Sequence, residues 1–374
     1  DPVKLVADFI WHPGMNLEPE RKKQWRSELI NFFSKDKSFE NRLLAAMPIY
    51  GIRWALIILN EYLPSLAKKR RDAIGKKNYN FNDVVTFKKH ISQNLSEHSS
   101  AILMDPIYSI PNLIHTSKSN GLIITLEDHA FEEKGRGRYS KNIKNWTVEK
   151  IKKIGGDAVK VLAWYRPDAD KHSILHQKKY IQNIGKQCEK YDIPFLLELL
   201  VYPFKNEFGY SKDYKEQQNK NRNHIIESVK EFSKAKYKID IFKLESPVDS
   251  SKLEDGRFTK ATQEAFKKLS LATKQIPWVM LSSGMSKNSF YNCLKLAYKN
   301  GASGYLAGRT IWLDAFKDYP NYKKIIHNLN NESANYVKKL NTLTKNNAQS
   351  LEKYLANKLI QKKSINFKNT YKGF

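Results

Sequence analysis

The sequence predicts an α/β protein: a (β/α)₈ barrel of the TIM type that lacks a legible first strand and follows an N-terminal helical segment. Three observations carry this reading. Short apolar runs alternate with amphipathic helical stretches from residue 100 to residue 307. The runs are apolar almost throughout, as expected of parallel strands covered on both faces. At 374 residues the chain has room for one such barrel and a smaller piece.

Residues 1–75 read as helical, with Val3–Ile10, Pro19–Phe33 and Phe39–Leu63 carrying apolar positions at helix spacing. Asp1-Pro2-Val3 has neither an initiator Met nor a signal-peptide pattern, and reads as a start inside something longer. The basic stretch Lys68–Asn82 reads as a linker. The barrel then occupies residues 76–345. Its strand-like runs are Ser100–Met104, Leu122–Leu126, Ala158–Ala163, Phe195–Val201, Ile239–Leu244, Trp278–Ser282 and Gly304–Ala307. Helical stretches such as Val148–Ile154, Ile174–Tyr191, Asn223–Ala235, Thr259–Thr273 and Lys287–Asn300 separate them. That makes seven strands. The missing one belongs before Phe81, where Trp54–Leu59 is apolar enough but sits in a helical context. Residues 346–374 read as a basic C-terminal tail, helical at first and then loose.

A hydrophobic share of 41% supports a sizeable core. No apolar run reaches the roughly 18–20 residues that span a bilayer, so no membrane partner is expected. Cys188 and Cys293 fall in helical patterns without CxxC spacing, which implies neither a disulfide nor a zinc site and fits a reducing cytoplasm. The formal net charge of +27 would ordinarily suggest nucleic acid. Here the excess is mostly lysine accompanied by abundant Asn and Ile, a mixture that an AT-biased genome leaves on solvated surfaces. No RNP-like motif, zinc finger or arginine stripe accompanies it, so no nucleic-acid partner is expected. A positive field would still draw in anionic substrates. His172 and His176 lie four apart without an acidic ligand nearby and read as surface residues. Gly135-Arg136-Gly137-Arg138 is too short for a nucleotide fingerprint and reads as a mobile loop near the barrel mouth.

Chemistry in such barrels sits at the C-terminal strand ends. Lys243 lies within Ile241-Phe242-Lys243-Leu244, where burial disfavours the charged amine and makes it nucleophilic towards a carbonyl carbon. Glu198 lies within Leu196-Leu197-Glu198-Leu199, and Lys160 within Ala158-Val159-Lys160-Val161. Three ionisable groups on three consecutive apolar strands are expected to be paired or functional. Lys243 would attack a ketone. Lys160 would keep it neutral by like-charge repulsion and help to bind an anion. Glu198 would serve as general acid and base. The last two strands carry phosphate-binding features. Ser282, Ser283 and Gly284 lead into a helix, Gly308 allows close backbone approach, and Arg309 offers a bidentate contact. Imine chemistry needs no metal and no cofactor.

As an ordered set, these residues resemble the class I tagatose-1,6-bisphosphate aldolase family. The match runs from about residue 83 to 343 through Ser100–Tyr108, Gly156–Lys160, Ile193–Glu198, Ile239–Glu245, Leu281–Gly284 and Ala307–Trp312. The resemblance implies that Lys243 forms the Schiff base, that Lys160 and Glu198 assist, and that the two turns hold phosphate. It implies cleavage of tagatose 1,6-bisphosphate, with other ketose 1-phosphates as related substrates. The family's first strand ends in a Phe-Asp-Gln-Arg type motif with no counterpart here. Residues 1–65, through Asp1–Gly14 and Arg53–Glu61, resemble the C-terminal helices of aminoglycoside-phosphotransferase-like kinases, without their phosphotransfer site. Alternatives are therefore a catalytically impaired aldolase-like sugar-phosphate-binding protein, supported by the missing strand, or a kinase–aldolase fusion remnant. A seven-stranded barrel would have two unpaired edges, against which the N-terminal helices could pack or through which the chain could form a homo-oligomer.

Overall fold

A computed structural model of the chain describes residues 2–11, 17–48, 81–210 and 221–351. The chain separates into two units, residues 1–80 and 81–374. In the first, helices cover Pro2–Trp11, Pro19–Phe32 and residues 39–48. Val3, Val6, Ala7 and Ile10 recur at the spacing of one helix face and bury against Phe39 and Leu43. Pro19 opens the second helix, where a missing N–H costs nothing. The expected helix Phe39–Leu63 is described as far as residue 48. Trp54–Leu59, and the place where a first barrel strand was sought, lie outside the described residues.

The second unit begins with a helix, Phe81–Leu95. Residues 81 and 82 therefore do not belong to the expected linker. Val84, Phe87, Ile91 and Leu95 supply the apolar face that the basic context concealed. The strands are β1 (Ala101–Met104), β2 (Gly121–Thr125), β3 (Glu132–Glu133), β4 (Arg138–Tyr139), β5 (Ala158–Trp164), β6 (Phe195–Leu200), β7 (Ile241–Leu244), β8 (Trp278–Leu281) and β9 (Gly304–Leu306). β3 and β4 form a separate antiparallel ribbon, and the other seven form one parallel sheet in the order β1-β2-β5-β6-β7-β8-β9. All seven expected strands are present. Among the described residues, no strand joins β9 to β1.

Period-two alternation divides each strand. Val159, Val161 and Ala163 of β5, with Leu197 and Leu199 of β6, join the main core beneath the outer helices. Lys160, Leu162 and Trp164, with Glu198 and Leu200, face the barrel interior. There Leu162, Trp164, Leu200 and Leu281 pack in a second cluster with Tyr202 and Phe204. The helical layer links β9 to the approach to β1. Tyr305 of β9 donates its hydroxyl to Asn341 Oδ1 on helix Ala334–Asn347 at 2.7 Å, and Asn341 Nδ2 donates to the carbonyl of His98, three residues before β1, at 2.7 Å. Phe87 of the first helix packs on Phe316 and edge-on to Tyr319.

Candidate active site

Parallel pairing sets the height of each inward side chain. Glu198 lies level with Lys243, and Lys160 lies one step lower, level with Leu196. All three are buried within apolar strands. Glu198 bridges the two lysines, with Oε1 3.0 Å from Lys243 Nζ and Oε2 2.7 Å from Lys160 Nζ. Lys160 Nζ is also 2.5 Å from Oε1 of Glu127, a buried residue just past β2. The site is therefore an alternating chain of acid and base, Glu127–Lys160–Glu198–Lys243, running across β2, β5, β6 and β7. The sequence reading brought together the last three. It missed Glu127, which follows a short apolar run in Leu126-Glu127-Asp128-His129 and reads locally as a turn. Its one sequence signal is period two, because Glu127 stands two residues past the inward-facing Thr125, which pairs with Lys160.

The two carboxylates titrate in opposite directions. Burial pushes the Glu198 carboxyl up, but the ammonium groups of Lys160 and Lys243 outweigh it and bring the pKa down to about 2. Burial dominates at Glu127, and the pull of Lys160 the other way does not offset it, so the pKa stays raised. Oε2 of Glu127 is buried without a hydrogen-bond partner, a place where a protonated carboxyl could carry its hydrogen. The arrangement thus combines a buried amine, an anionic carboxylate that can take its proton, and a second carboxyl inclined to be neutral. Those are the parts that dehydration of a carbinolamine needs. Glu245, directly after β7 and also inward, accepts the Val201 backbone N–H through Oε1 at 2.7 Å.

The two expected phosphate turns lie side by side. Ser282–Met285 closes on itself through Met285 N–H to Ser282 O at 2.9 Å, with Ser283 and Gly284 both at positive φ, +52° and +65°. Ser286 then caps helix Lys287–Lys299, its hydroxyl accepting Ser289 N–H. Nothing lies within 4 Å of where a Cβ on Gly284 would project, so the turn faces open space. The Ser283 hydroxyl is buried without a partner, an orphaned donor that suits an anion's oxygen. Gly308 and Arg309 begin the short helix after β9. Thr310 Oγ1 donates to Met285 O at 2.9 Å and ties the second turn to the first.

The expected loop Gly135–Arg138 is corrected at its end: Gly135–Gly137 form the bend between β3 and β4, with Gly135 and Arg136 exposed, but Arg138 belongs to β4 and is almost completely buried. Its guanidinium stacks on Phe131 at 3.9 Å and on Trp164 and Tyr202 at 4.7 Å, and its backbone N–H donates to the Tyr202 hydroxyl. His176 is structural, held between Tyr139 and Tyr180, with Nε2 3.0 Å from Ser140 O. Cys188 and Cys293 are buried free thiols. Among the described residues, no three His, Cys, Asp or Glu side chains group as metal ligands, and no helix is long and apolar enough to cross a membrane.

Residues 68–314 match the family model described as DeoC/LacD family aldolase. Tagatose 1,6-diphosphate aldolase 1 of Enterococcus faecalis is 32% identical over 240 residues, 62% of this chain and 72% of the relative. Tagatose 1,6-diphosphate aldolase of Lactococcus lactis subsp. lactis is 30% identical over 276 residues, 70% of this chain and 83% of the relative. Among solved structures, a fructose-bisphosphate aldolase from Plasmodium falciparum aligns with a TM-score of 0.53 and 10% identity, over 76% of this chain and 89% of that one. The last likeness speaks for the fold alone.

Proposed function

The chain belongs to the DeoC/LacD family of aldolases, and from that premise we propose that it is a Schiff-base aldolase cleaving tagatose 1,6-bisphosphate to dihydroxyacetone phosphate and glyceraldehyde 3-phosphate. The observation that carries the proposal is the Lys243 amine, buried in an apolar strand 3.0 Å from a carboxylate that a second lysine also holds. In this reading Lys243 gives up its proton, and its free amine attacks the C2 ketone to form a carbinolamine. A protonated carboxyl of the Glu127–Glu198 pair delivers a proton to the departing hydroxyl, which leaves as water and gives an iminium. The other removes the C4 hydroxyl proton. The C3–C4 electron pair moves into the iminium, leaving an enamine on Lys243 and releasing the aldehyde. Protonation at C3 and hydrolysis then free dihydroxyacetone phosphate. Lys160 keeps Glu198 anionic at rest and biases Lys243 towards the neutral form. Ser282, Ser283, Gly284, Gly308 and Arg309 hold a substrate phosphate, a role that the orphaned Ser283 hydroxyl supports. The names of the curated relatives support the choice of ketose.

Borohydride reduction in the presence of dihydroxyacetone phosphate should attach the three-carbon unit to Lys243, read by peptide mass. A label on another lysine, or none, overturns the assignment. Excess EDTA should leave cleavage intact, because the iminium is the electron sink. A loss of activity that Zn²⁺ restores would point to a metal-dependent mechanism. The reading further places the enzyme in the cytoplasm and divides it into a kinase-tail-like segment at 1–75, the barrel at 76–345 and a basic tail at 346–374. Self-association through the open sheet edges is part of the same reading, and size-exclusion chromatography with light scattering tests it.

A further inference from the structure

Two residues beyond the level of Glu198 and Lys243, each strand leads on to its next inward side chain: Trp164 on β5, Leu200 on β6, Glu245 directly after β7 and Leu281 on β8. At about 3.3 Å per residue this layer stands about 6–7 Å closer to the barrel mouth. Glu245 is tied to a backbone amide. The other three are almost completely buried and pack together with Tyr202 and Phe204. They form a ceiling over the charged layer that spans β5 to β8. Trp164 is its largest member and is braced from above. Phe131 meets it edge-on at 5.4 Å, Tyr202 at 6.2 Å, and the Arg138 guanidinium stacks on it at 4.7 Å. On the remaining arc the inward residues Leu103, Ile123, Thr125 and Leu306 are only half-buried.

We infer that Trp164, held in place by Arg138, sets the upper size limit of the aldehyde that the enzyme releases or accepts. The inference rests on the aldolase reading and on the order of its parts around the sheet. The phosphate turns follow β8 and β9, the imine lysine is on β7, and the proton-handling groups are on β6, β5 and just past β2. A ketose with its phosphate at the turns and C2 at Lys243 therefore runs its C4 end towards β6 and β5, beneath Leu200 and Trp164. The aldehyde half lies under the rigid part of the ceiling. Leu200 and Leu281 are single aliphatic side chains, whereas Trp164 is fixed by three neighbours and cannot turn aside.

The test is aldol addition. The enamine carbon of dihydroxyacetone phosphate on Lys243 bonds to the aldehyde carbon, the aldehyde oxygen takes a proton, and water hydrolyses the resulting iminium. Acetaldehyde and phenylacetaldehyde serve as acceptors, so that neither carries a phosphate. The readout is the ratio of kcat/KM for the bulky aldehyde to that for the small one. Trp164→Ala should raise this ratio about tenfold or more, the scale expected when a packed pocket gains volume. Arg138→Met, which removes the brace and leaves the indole, should raise it by less. Trp164→Leu provides a second pocket variant that keeps an apolar filler, and its ratio should fall between those of Trp164→Ala and the wild type. Ratios within twofold of wild type in every folded variant, with dihydroxyacetone phosphate still labelling Lys243, overturn the inference and leave the aldolase reading standing. A wild-type protein that neither labels nor adds either aldehyde overturns the aldolase reading, and the inference with it.

Discussion

At the residue scale, Glu198 shares one carboxylate between two buried ammonium groups, and the stability of the site depends on it. Glu198→Gln removes the carboxylate that both buried ammonium groups share, a change expected to cost roughly 3–5 kcal/mol. Glu127→Gln replaces a carboxyl whose pKa is already raised, and the amide oxygen can still accept from Lys160, so its cost should stay near 1 kcal/mol. Urea denaturation at neutral pH compares the two, and equal costs would mean that Glu127 is ionised at rest. Their pH dependences have opposite signs. With a folded pKa of about 2 against an ordinary 4.5, Glu198 stabilises the protein fully above pH 4.5, and that contribution fades as pH falls towards 2. Glu127 is raised, so the unfolded chain sheds this proton first and stability declines as pH rises above 4.5 until Glu127 itself ionises. Melting temperatures should therefore lose part of their acid-side fall in Glu198→Gln and part of their decline above pH 4.5 in Glu127→Gln.

At the scale of elements, the turn after β8 and the turn after β9 act as one unit through Thr310 and Met285. Arg309→Ala should raise KM for the phosphorylated ketose by about tenfold or more, since a charge-assisted contact is worth roughly 1.5–3 kcal/mol. Lys267→Ala, on the exposed face of helix Lys260–Ala272, should leave KM within twofold. Small and equal effects would place the phosphate elsewhere. These elements were legible in the sequence because parallel strands covered on both faces are written as continuous apolar runs, and a charge inside such a run stands out. That is why Lys160, Glu198 and Lys243 could be picked without coordinates. Glu127 lies two residues past the end of its strand, where a polar residue is unremarked, and only the register against Lys160 brings it inward. Arg138 was misread for the converse reason. Gly-Arg-Gly-Arg has the composition of a solvated loop, yet the rings that bury its second arginine come from positions 131, 164 and 202. No local window contains all three.

At the scale of the whole molecule, the described sheet has seven parallel strands where the fold is built on eight. Among the described residues, β9 is linked to the approach to β1 through Tyr305, Asn341 and the His98 carbonyl. The chain of buried acids and lysines runs along the paired arc from just past β2 to β7, and the turns proposed to hold phosphate follow β8 and β9. The place between β9 and β1, where no strand is described, therefore lies outside that arc. Imine formation needs only that arc, whereas the wall that confines the substrate would include the first strand and its family aspartate. The two should separate experimentally. Borohydride labelling of Lys243 by dihydroxyacetone phosphate should proceed readily. Turnover of tagatose 1,6-bisphosphate, measured side by side with the Enterococcus faecalis relative, should be at least tenfold lower where no first strand completes that wall, because an incomplete wall loosens the near-attack geometry on which the rate depends. Equal turnover in the two enzymes would mean that the wall is complete and that the segment before Phe81 supplies it.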